Sequence, residues 1–313
     1  MPRPSPATHH RTGSRLRVMS WNILEGGLPQ GGADHRAAIT SLIAAARADV
    51  VVTVETYGLG AAIQAALGGG YHGVPITRKP PGEGDNLWIF TRLPILEVYP
   101  EPSGPILTSF NAGGVRLQGP DGDIDVFAVW LTYLEDLIQP MEAIVGKATT
   151  APPTREDLDT LTALDAKRVE QVRLLLDDYV GVHSDPDRPA IVAGDFNTIS
   201  HLDWPAELAG APGHHGIALE CPVTRAIEEA GFVDVYRAVR PDVRLDPGGS
   251  WATEQTFAAP YRIDYIFARG AVSAEAAWML AERRPGDAAQ QFCSDHAPVI
   301  AELWTAHEQD RGR

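Results

Sequence analysis

The chain has 313 residues, of which 44% are hydrophobic, and its 26 basic and 41 acidic side chains give a formal net charge of −15. The hydrophobic fraction suffices for a sizeable core, and no apolar run is long enough to span a bilayer. The acidic balance disfavours a protein that binds long stretches of nucleic-acid backbone, which usually needs a basic surface, although a metal ion can bring a polyanion to an acidic protein.

The first half of the chain alternates between strand and helix patterns after a polar tail. Residues 1–15 are Pro-rich, lack an apolar stretch like that of a signal peptide, and predict a disordered tail. Residues 16–24 alternate like a strand, residues 33–49 have helical apolar spacing, and residues 50–55 form a β-branched run typical of a buried strand. Further predictions are a helix over 59–67, strands over 86–91 and 96–99, and a hairpin of 115–117 and 124–131.

The second half opens with an irregular stretch, residues 135–153, which is long for a plain connection. Such connections are often lids, so this one is a candidate for substrate selection. Thr154 and Asp157 are spaced as a capping box for a helix over 156–180. Further predictions are a strand over 190–196, a helix over 224–230 that ends at Gly231, strands over 262–268 and 298–304, and a polar tail over 306–313. Interleaved strands and helices without a linker predict a single α/β domain over 16–305.

The chain has two cysteines, Cys221 and Cys293. A single disulfide is one possibility, but two buried free thiols are the favoured interpretation. Free thiols fit a reducing compartment, and we expect a cytoplasmic protein.

Polar residues stand beside strongly apolar runs at several predicted strand ends. A lone carboxylate in such a place is usually a turn residue or a cap, because burying it costs several kcal/mol unless it is paired or bound to a metal. Six strand-associated positions of this type are harder to explain so simply, and together they predict a site. The positions are Asn22, Glu55, Asp195 with Asn197, Asp264, Asp295 and His296.

The motifs that carry these residues occur in a fixed order along the chain. They are WNIL at 21–24, TVE at 53–55, GDFN at 194–197, RIDYIF at 262–267 and SDHAP at 294–298. With DNLWIFTRLPI at 85–95, they resemble the ordered motifs of the endonuclease/exonuclease/phosphatase (DNase I-like) superfamily, from about residue 16 to 304. The resemblance implies a four-layer α/β/β/α sandwich, in which two packed mixed β-sheets are flanked by helices.

The resemblance also implies a metal site for phosphoester hydrolysis. Glu55 would be the main ligand, with Asn22 beside it, and Asp295 would support the metal directly or through water. Mg²⁺, or Mn²⁺ in its place, takes one or two carboxylates and substrate oxygens, so the residue types fit.

The remaining motif residues would act on the phosphate group and the attacking water. By resemblance, Asp195 would orient or deprotonate the water and Asn197 would hold a phosphoryl oxygen. His296 would contact the phosphate, with Asp264 fixing its tautomer and favouring the imidazolium. The identity of the general base stays open.

One departure from the family pattern concerns the strand before the long helix. Many members carry a His-Leu pair there, whereas this chain has Trp130 in the His position, and an indole cannot exchange a proton at neutral pH. Tyr133, three residues on, is a candidate for the phosphate contact; packing roles for both residues are equally compatible with the sequence.

Trp130 itself and three further residues are candidate substrate contacts. The three are Arg92 in the turn after the third motif strand, His201 just after GDFN, and Trp251 before RIDYIF. The alternatives are a structural loop role for His201 and core packing for Trp251.

The combined prediction is a metal-dependent phosphoesterase that acts on a small molecule, lipid head group or nucleic acid. The acidic charge favours a phosphorylated small or lipid-like substrate over long nucleic acid, and no protein partner is implied. The alternative, favoured by Trp130, is a member of the family that binds phosphate or catalyses a non-hydrolytic reaction.

Overall fold

The computed structural model describes residues 13–306, except 81, 83, 134, 149, 254–256, 258–260 and 281–291, and for residues 135–137 it describes the backbone alone. The predicted disordered tail and polar C-terminal tail fall largely outside the described residues. Residues 13–15 and 306, which were assigned to these tails, lie in strands.

Strands and helices are interleaved along the chain. Up to residue 148 they are β1 (Gly13–Asn22), α1 (Arg36–Ala46), β2 (Val50–Val54), α2 (Gly60–Leu67), β3 (His72–Pro75), β4 (Trp88–Thr91), β5 (Ile95–Val98), β6 (Ala112–Gly119), β7 (Gly122–Trp130) and α3 (Glu135–Ala148). Beyond it they are α4 (Arg155–Ala163), α5 (Ala166–Leu174), a π-helical turn (Leu175–Val180), α6 (Gly181–His183), β8 (Ala190–Asp195), α7 (Pro222–Glu229), β9 (Val233–Asp234), α8 (Val235–Val239), β10 (Asp264–Arg269), β11 (Val272–Met279) and β12 (Val299–Ala306).

Within the described residues, the strands form two six-stranded mixed sheets. The first has the order β11-β12-β1-β2-β4-β3 and the second β5-β6-β7-β8-β10-β9. The pairs β1–β2 and β7–β8 are parallel, and the other pairs are antiparallel. Parallel strands run in the same direction. Therefore β1 and β2 end at the same edge of the first sheet, and β7 and β8 end at the same edge of the second.

The two sheets pack face to face and helices cover their outer faces. Alternate residues of each strand, such as Val18 and Val52 in the first sheet and Ile191 in the second, meet in one buried core. On the outer faces, α1 and α2 bury apolar residues against the first sheet, and α5 and α7 do so against the second. This arrangement confirms the predicted four-layer α/β/β/α sandwich.

The prediction of an irregular stretch over residues 135–153 is wrong, because helix α3 covers most of these residues. Ile138, Met141, Ile144 and Val145 form its buried face, and Pro140 lies within it. Helical spacing of these four apolar residues was the signal, and the interior proline obscured it.

The predicted helix over 156–180 is divided near Leu164 and Asp165. Its capping box is confirmed, since Thr154 accepts from the Asp157 backbone N–H and the Asp157 side chain accepts from the Thr154 backbone N–H. The break lets the buried Asp165 side chain pair with Arg168 and Thr198.

Both cysteines are free and buried, as predicted. Among the described residues, the helices are all too short or too polar to cross a bilayer.

Candidate active site

The predicted strand-end residues meet where the inner faces of the two sheets end. Asn22 of β1 pairs with Val54 of β2, so Asn22 lies beside Glu55, the residue after Val54. On the second sheet, Asp195 of β8 pairs with both Trp130 of β7 and Asp264 of β10. Side chains alternate along a strand and paired residues share a face, so these positions continue the inward-facing side of the core.

Asn22 joins the two sheets through its side-chain amide. Its Nδ2 donates to Glu55 Oε1 at 2.9 Å and to Asp195 Oδ2 at 3.1 Å. The Glu55 backbone has a φ of 55°, and its N–H donates to Asn86 Oδ1 at 2.7 Å. Asn86 therefore fixes the turn that directs Glu55 toward the cluster.

Asp195 and Asn197 form a tight turn directly after β8. The Asn197 backbone N–H donates to Asp195 Oδ1 at 2.9 Å, and its Nδ2 donates to Leu131 O at 3.0 Å. Burial, reinforced by repulsion from Asp264 and opposed by His296, raises the pKa of Asp195 to about 8. A nearby cation favours the charged carboxylate and would reverse this shift.

His296 is held by Asp264 and faces two further carboxylates. Its Nδ1 lies 2.8 Å from Asp264 Oδ2, while its Nε2 lies 4.0 Å from Asp195 Oδ2 and 3.9 Å from Asp295 Oδ1. Burial opposes the positive charge, but attraction to Asp264, Asp295 and Asp195 outweighs it and holds the imidazole pKa well above its usual range. The predicted Asp264–His296 pair is thus present in the structure.

Trp251 contacts the cluster through Asp295. Its Nε1 donates to Asp295 Oδ2 at 2.9 Å, and its ring stacks on Phe257 with centroids 4.9 Å apart. The indole lies 6.4 Å from the His296 ring. Trp251 therefore packs at the edge of the cluster and orients Asp295, and a substrate contact by Trp251 stays a prediction.

The cluster can hold a divalent cation. Asp195, Asp264 and His296 present ligand atoms that all lie within 4.8 Å of one another. Three buried oxygens beside them have no hydrogen-bond partner among the described residues: Asn197 Oδ1, Asp264 Oδ1 and Asp295 Oδ1. Carboxylate and amide oxygens are the donors that Mg²⁺ and Mn²⁺ prefer, so the residues fit such an ion. This possible metal site adjoins the predicted ligands Asn22, Glu55 and Asp295.

Trp130 ends β7 and Tyr133 lies three residues beyond it, and the two residues lie in different environments. Trp130 is partly buried against the core between the sheets, and its ring meets Phe110 edge-on at 5.4 Å. Tyr133 is 50% exposed, and its backbone carbonyl accepts from Arg168 Nη1 at 3.2 Å. A phosphate contact by Tyr133 stays a prediction.

Arg92 and His201 are held by partners of their own. Arg92 pairs with Asp49 at 2.5 Å and follows Thr91, which pairs with Val50 at the end of β2 opposite to Glu55. Both His201 ring nitrogens lie 2.8 Å from α7 side chains, Thr224 Oγ1 and Glu228 Oε2. We correct the prediction for Arg92, which the sheet register separates from the cluster, and the contacts of His201 fit its structural alternative.

Three residues that support the site were missed by the sequence analysis. Asn86 holds the Glu55 backbone, and Ser294 Oγ donates to Asn22 O at 2.8 Å. Phe110, whose ring meets Trp130 edge-on, lies outside the quoted motifs. Asn86 and Ser294 do stand inside the quoted motifs, so their position beside the charged residues was the available signal.

Comparisons with known proteins agree with this arrangement. A family model described as "Endonuclease/Exonuclease/phosphatase family" matches residues 19–296. An uncharacterized protein of Caenorhabditis elegans is 32% identical over 130 residues, which cover 37% of this chain and 41% of that protein. The chain thus spans less than half the length of that curated relative.

Solved structures show the same fold at low sequence identity. An endonuclease/exonuclease/phosphatase from Beutenbergia cavernae is 23% identical with a TM-score of 0.55, covering 95% of this chain and 72% of that one. The mannosyl-6-phosphatase Bt3783 of Bacteroides thetaiotaomicron is 16% identical with a TM-score of 0.61, covering 92% of this chain and 99% of that one.

Proposed function

The chain belongs to the endonuclease/exonuclease/phosphatase family, and we propose that it is a divalent-metal-dependent hydrolase of a phosphate ester on a small or lipid-like molecule. The observation that carries this proposal is the buried group of carboxylates at the strand ends: Asp295 Oδ1 and Asp264 Oδ1 have no hydrogen-bond partner among the described residues, and they adjoin the cluster of Asp195, Asp264 and His296. Uncompensated buried carboxylates are costly, and a bound cation removes that cost.

Glu55, Asp295 and the neighbouring Asn22 are the residues that would hold a Mg²⁺ or Mn²⁺ ion. When bound, such an ion neutralises charge on the phosphoryl oxygens and lowers the pKa of water. Asn22 keeps Glu55 and Asp195 adjacent through its two hydrogen bonds, and Trp251 fixes one oxygen of Asp295.

The remaining cluster residues supply orientation and proton transfer. Asp195 would orient the attacking water and accept its proton; the hydrogen bonds from Asn22 and Asn197, which hold its carboxylate in one position, support this role. Asp264 holds His296 Nδ1, which leaves Nε2 to donate to a phosphoryl oxygen. Phosphoester hydrolysis depends mainly on such positioning and charge stabilisation.

Two observations support a small substrate over long nucleic acid. The net charge of −15 repels an extended polyanion and gives no excess of basic side chains for counterion release. The structurally similar protein from Bacteroides thetaiotaomicron is a mannosyl-6-phosphatase, which supports a phosphorylated small molecule as the first substrate class to test.

The test is hydrolysis of a substrate panel with Mg²⁺, with Mn²⁺ and with EDTA. The panel contains sugar phosphates, nucleotides, inositol phosphates, sphingomyelin, p-nitrophenyl phosphate, bis-p-nitrophenyl phosphate, DNA and RNA. We expect activity that EDTA removes and that falls by roughly 100-fold or more in kcat/KM in Glu55→Gln and in His296→Ala. The matched controls Glu97→Gln and His72→Ala, exposed on β5 and β3, should retain wild-type activity.

Three results would contradict the proposal. EDTA-resistant turnover, or full activity in Glu55→Gln, would remove the metal from the mechanism. A folded wild-type protein that binds Mg²⁺ but hydrolyses nothing on the panel would favour the non-hydrolytic, phosphate-binding alternative.

A further inference from the structure

Trp130 shares a row of the second sheet with two residues of the cluster. The strand order β7-β8-β10 and its register align Trp130, Asp195 and Asp264 across three neighbouring strands. Residues paired between adjacent strands project from the same face of a sheet, with Cβ atoms about 5 Å apart. Trp130 and Asp195 are therefore neighbours on the inner face of the second sheet.

The indole nitrogen of Trp130 is a donor without an acceptor. Trp130 Nε1 is buried and has no hydrogen-bond partner within the described part of the chain. Indole N–H groups are nearly always paired when buried, because an unpaired donor loses its hydration without compensation. An unpaired donor next to a cluster of anion-handling residues indicates a partner that arrives with the ligand.

The backbone at Trp130 is fixed on both sides, so the position of the indole is set by the fold. The Trp130 N–H donates to Asn111 O at 2.8 Å, and Asn111 Nδ2 donates to Trp130 O at 3.2 Å. The next residue, Leu131, donates its N–H to Asp195 O at 3.0 Å. The Phe110 ring meets the indole edge-on, with centroids 5.4 Å apart.

We propose that Trp130 contacts the substrate, donating its indole N–H to an oxygen of the phosphate group, and that Phe110 and Trp130 together form the wall of the phosphate subsite. This proposal rests on the proposed function and deepens it. Unlike an imidazole, the indole binds without titrating and cannot protonate a leaving group.

Under this proposal, Trp130 acts in substrate binding and not in the chemical step. Trp130 binds the phosphate oxygens equally in the ground state and later in the reaction, so its loss weakens binding more than turnover. Removing one neutral hydrogen bond weakens binding by roughly 5- to 10-fold. We therefore expect KM to rise by this factor in Trp130→Phe, with kcat changing much less.

The experiment compares wild type with Trp130→Phe, which keeps an aromatic ring and removes the donor. Binding of inorganic phosphate in the presence of Mg²⁺ is measured by calorimetry, and KM and kcat are measured on the best substrate of the panel. Trp304→Phe, at the far end of β12 beside Arg15, is the matched control and should bind phosphate like wild type. Trp130→His, which retains a donor, should keep phosphate affinity within about threefold of wild type.

The phosphate measurement separates this proposal from the proposed function, since it needs no turnover. Equal phosphate affinity in wild type and a folded Trp130→Phe would overturn the role of Trp130 and leave hydrolysis untouched. If Trp130→Phe fails to fold, 3-benzothienylalanine at position 130 preserves the shape of the indole and replaces its N–H by sulfur. The proposal predicts the same loss of phosphate affinity there, and unchanged affinity would overturn it.

Discussion

Two residues of the site have backbone conformations that side chains rarely adopt. Glu55 and Asn197 have φ angles of 55° and 50°, and neither is a glycine. Such left-handed positions cost free energy and persist where surrounding contacts hold them, which is common at functional sites. Here the contacts are the hydrogen bonds from the Glu55 N–H to Asn86 and from the Asn197 N–H to Asp195. Both turns direct a side chain back toward the cluster.

The ion pair between Asp264 and His296 makes a prediction that needs no metal. Asp264→Asn removes the strongest attraction on the imidazole, so the pKa of His296 should fall in the metal-free protein. The measurement is an NMR pH titration of the His296 ring nitrogens. Asp49→Asn, which alters a carboxylate at the far end of β2, should leave the titration unchanged. An identical midpoint in Asp264→Asn and wild type would show that Asp264 does not set this pKa.

The same shift fixes the direction of a pH effect on stability. The folded-state pKa of His296 is raised, so its charge contributes stability that is complete below the unfolded value of about 6.5. That contribution is lost as the pH rises through the folded pKa. Asp264→Asn should lower the free energy of unfolding relative to wild type. This difference between variant and wild type should become smaller as the pH rises through the folded-state pKa of His296.

At the scale of elements, the capping box of α4 offers a direct measure of local stability. Thr154→Ala removes the acceptor for the Asp157 N–H, and we expect a loss of about 1 kcal/mol in the free energy of unfolding. Urea unfolding provides the measurement. Thr160→Ala, an exposed threonine within the same helix, should be neutral or slightly stabilising, because alanine has the higher helix propensity. An equal loss in both variants would argue against the cap as the cause.

The elements that sequence patterns predict are those with a strong local signal. The buried β-branched run of β2 and the apolar strand β8 were recovered almost to the residue, as was the capping box of α4. Edge strands β3 and β11 were missed because they lack a clear apolar alternation; β3 contains His72 and Gly73, and β11 is rich in alanine. Helix α3 was missed because Pro140 interrupts its pattern.

The site itself was predictable as a set of residue types but not as a geometry. Motif order identified the cluster residues, whereas register decides which of them meet. Arg92 illustrates the limit, since its motif placed it near the site and the β2–β4 pairing places it at the opposite end of the strand. Conversely, the alignment of Trp130 with Asp195 depends on β7–β8 pairing, which no local pattern encodes.

At the scale of the whole molecule, the site is shared between the two sheets. Asn22 ends β1 and Glu55 follows β2 of the first sheet, and Asp295 and His296 precede β12 of that sheet. Asp195 and Asp264 belong to the second sheet. The sheets meet elsewhere through apolar contacts, and at this end through the hydrogen bond of Asn22 to Asp195 and the His296–Asp264 pair. A cation bound here would join carboxylates that only the packed sandwich brings together.

This sharing predicts that Mg²⁺ stabilises the entire fold. A ligand that binds only the native state adds RT ln(1 + [L]/Kd), which is about 2.7 kcal/mol at 100 times Kd. For a chain of 313 residues we expect Tm to rise by roughly 4 °C at 100 times Kd, measured by calorimetry. Glu55→Gln should lose most of this rise, and the exposed Glu97→Gln on β5 should keep it. An equal rise in both variants would assign the stabilisation to general ionic effects on an acidic surface, because a cation held between the sheets must depend on the carboxylates that the sheets bring together.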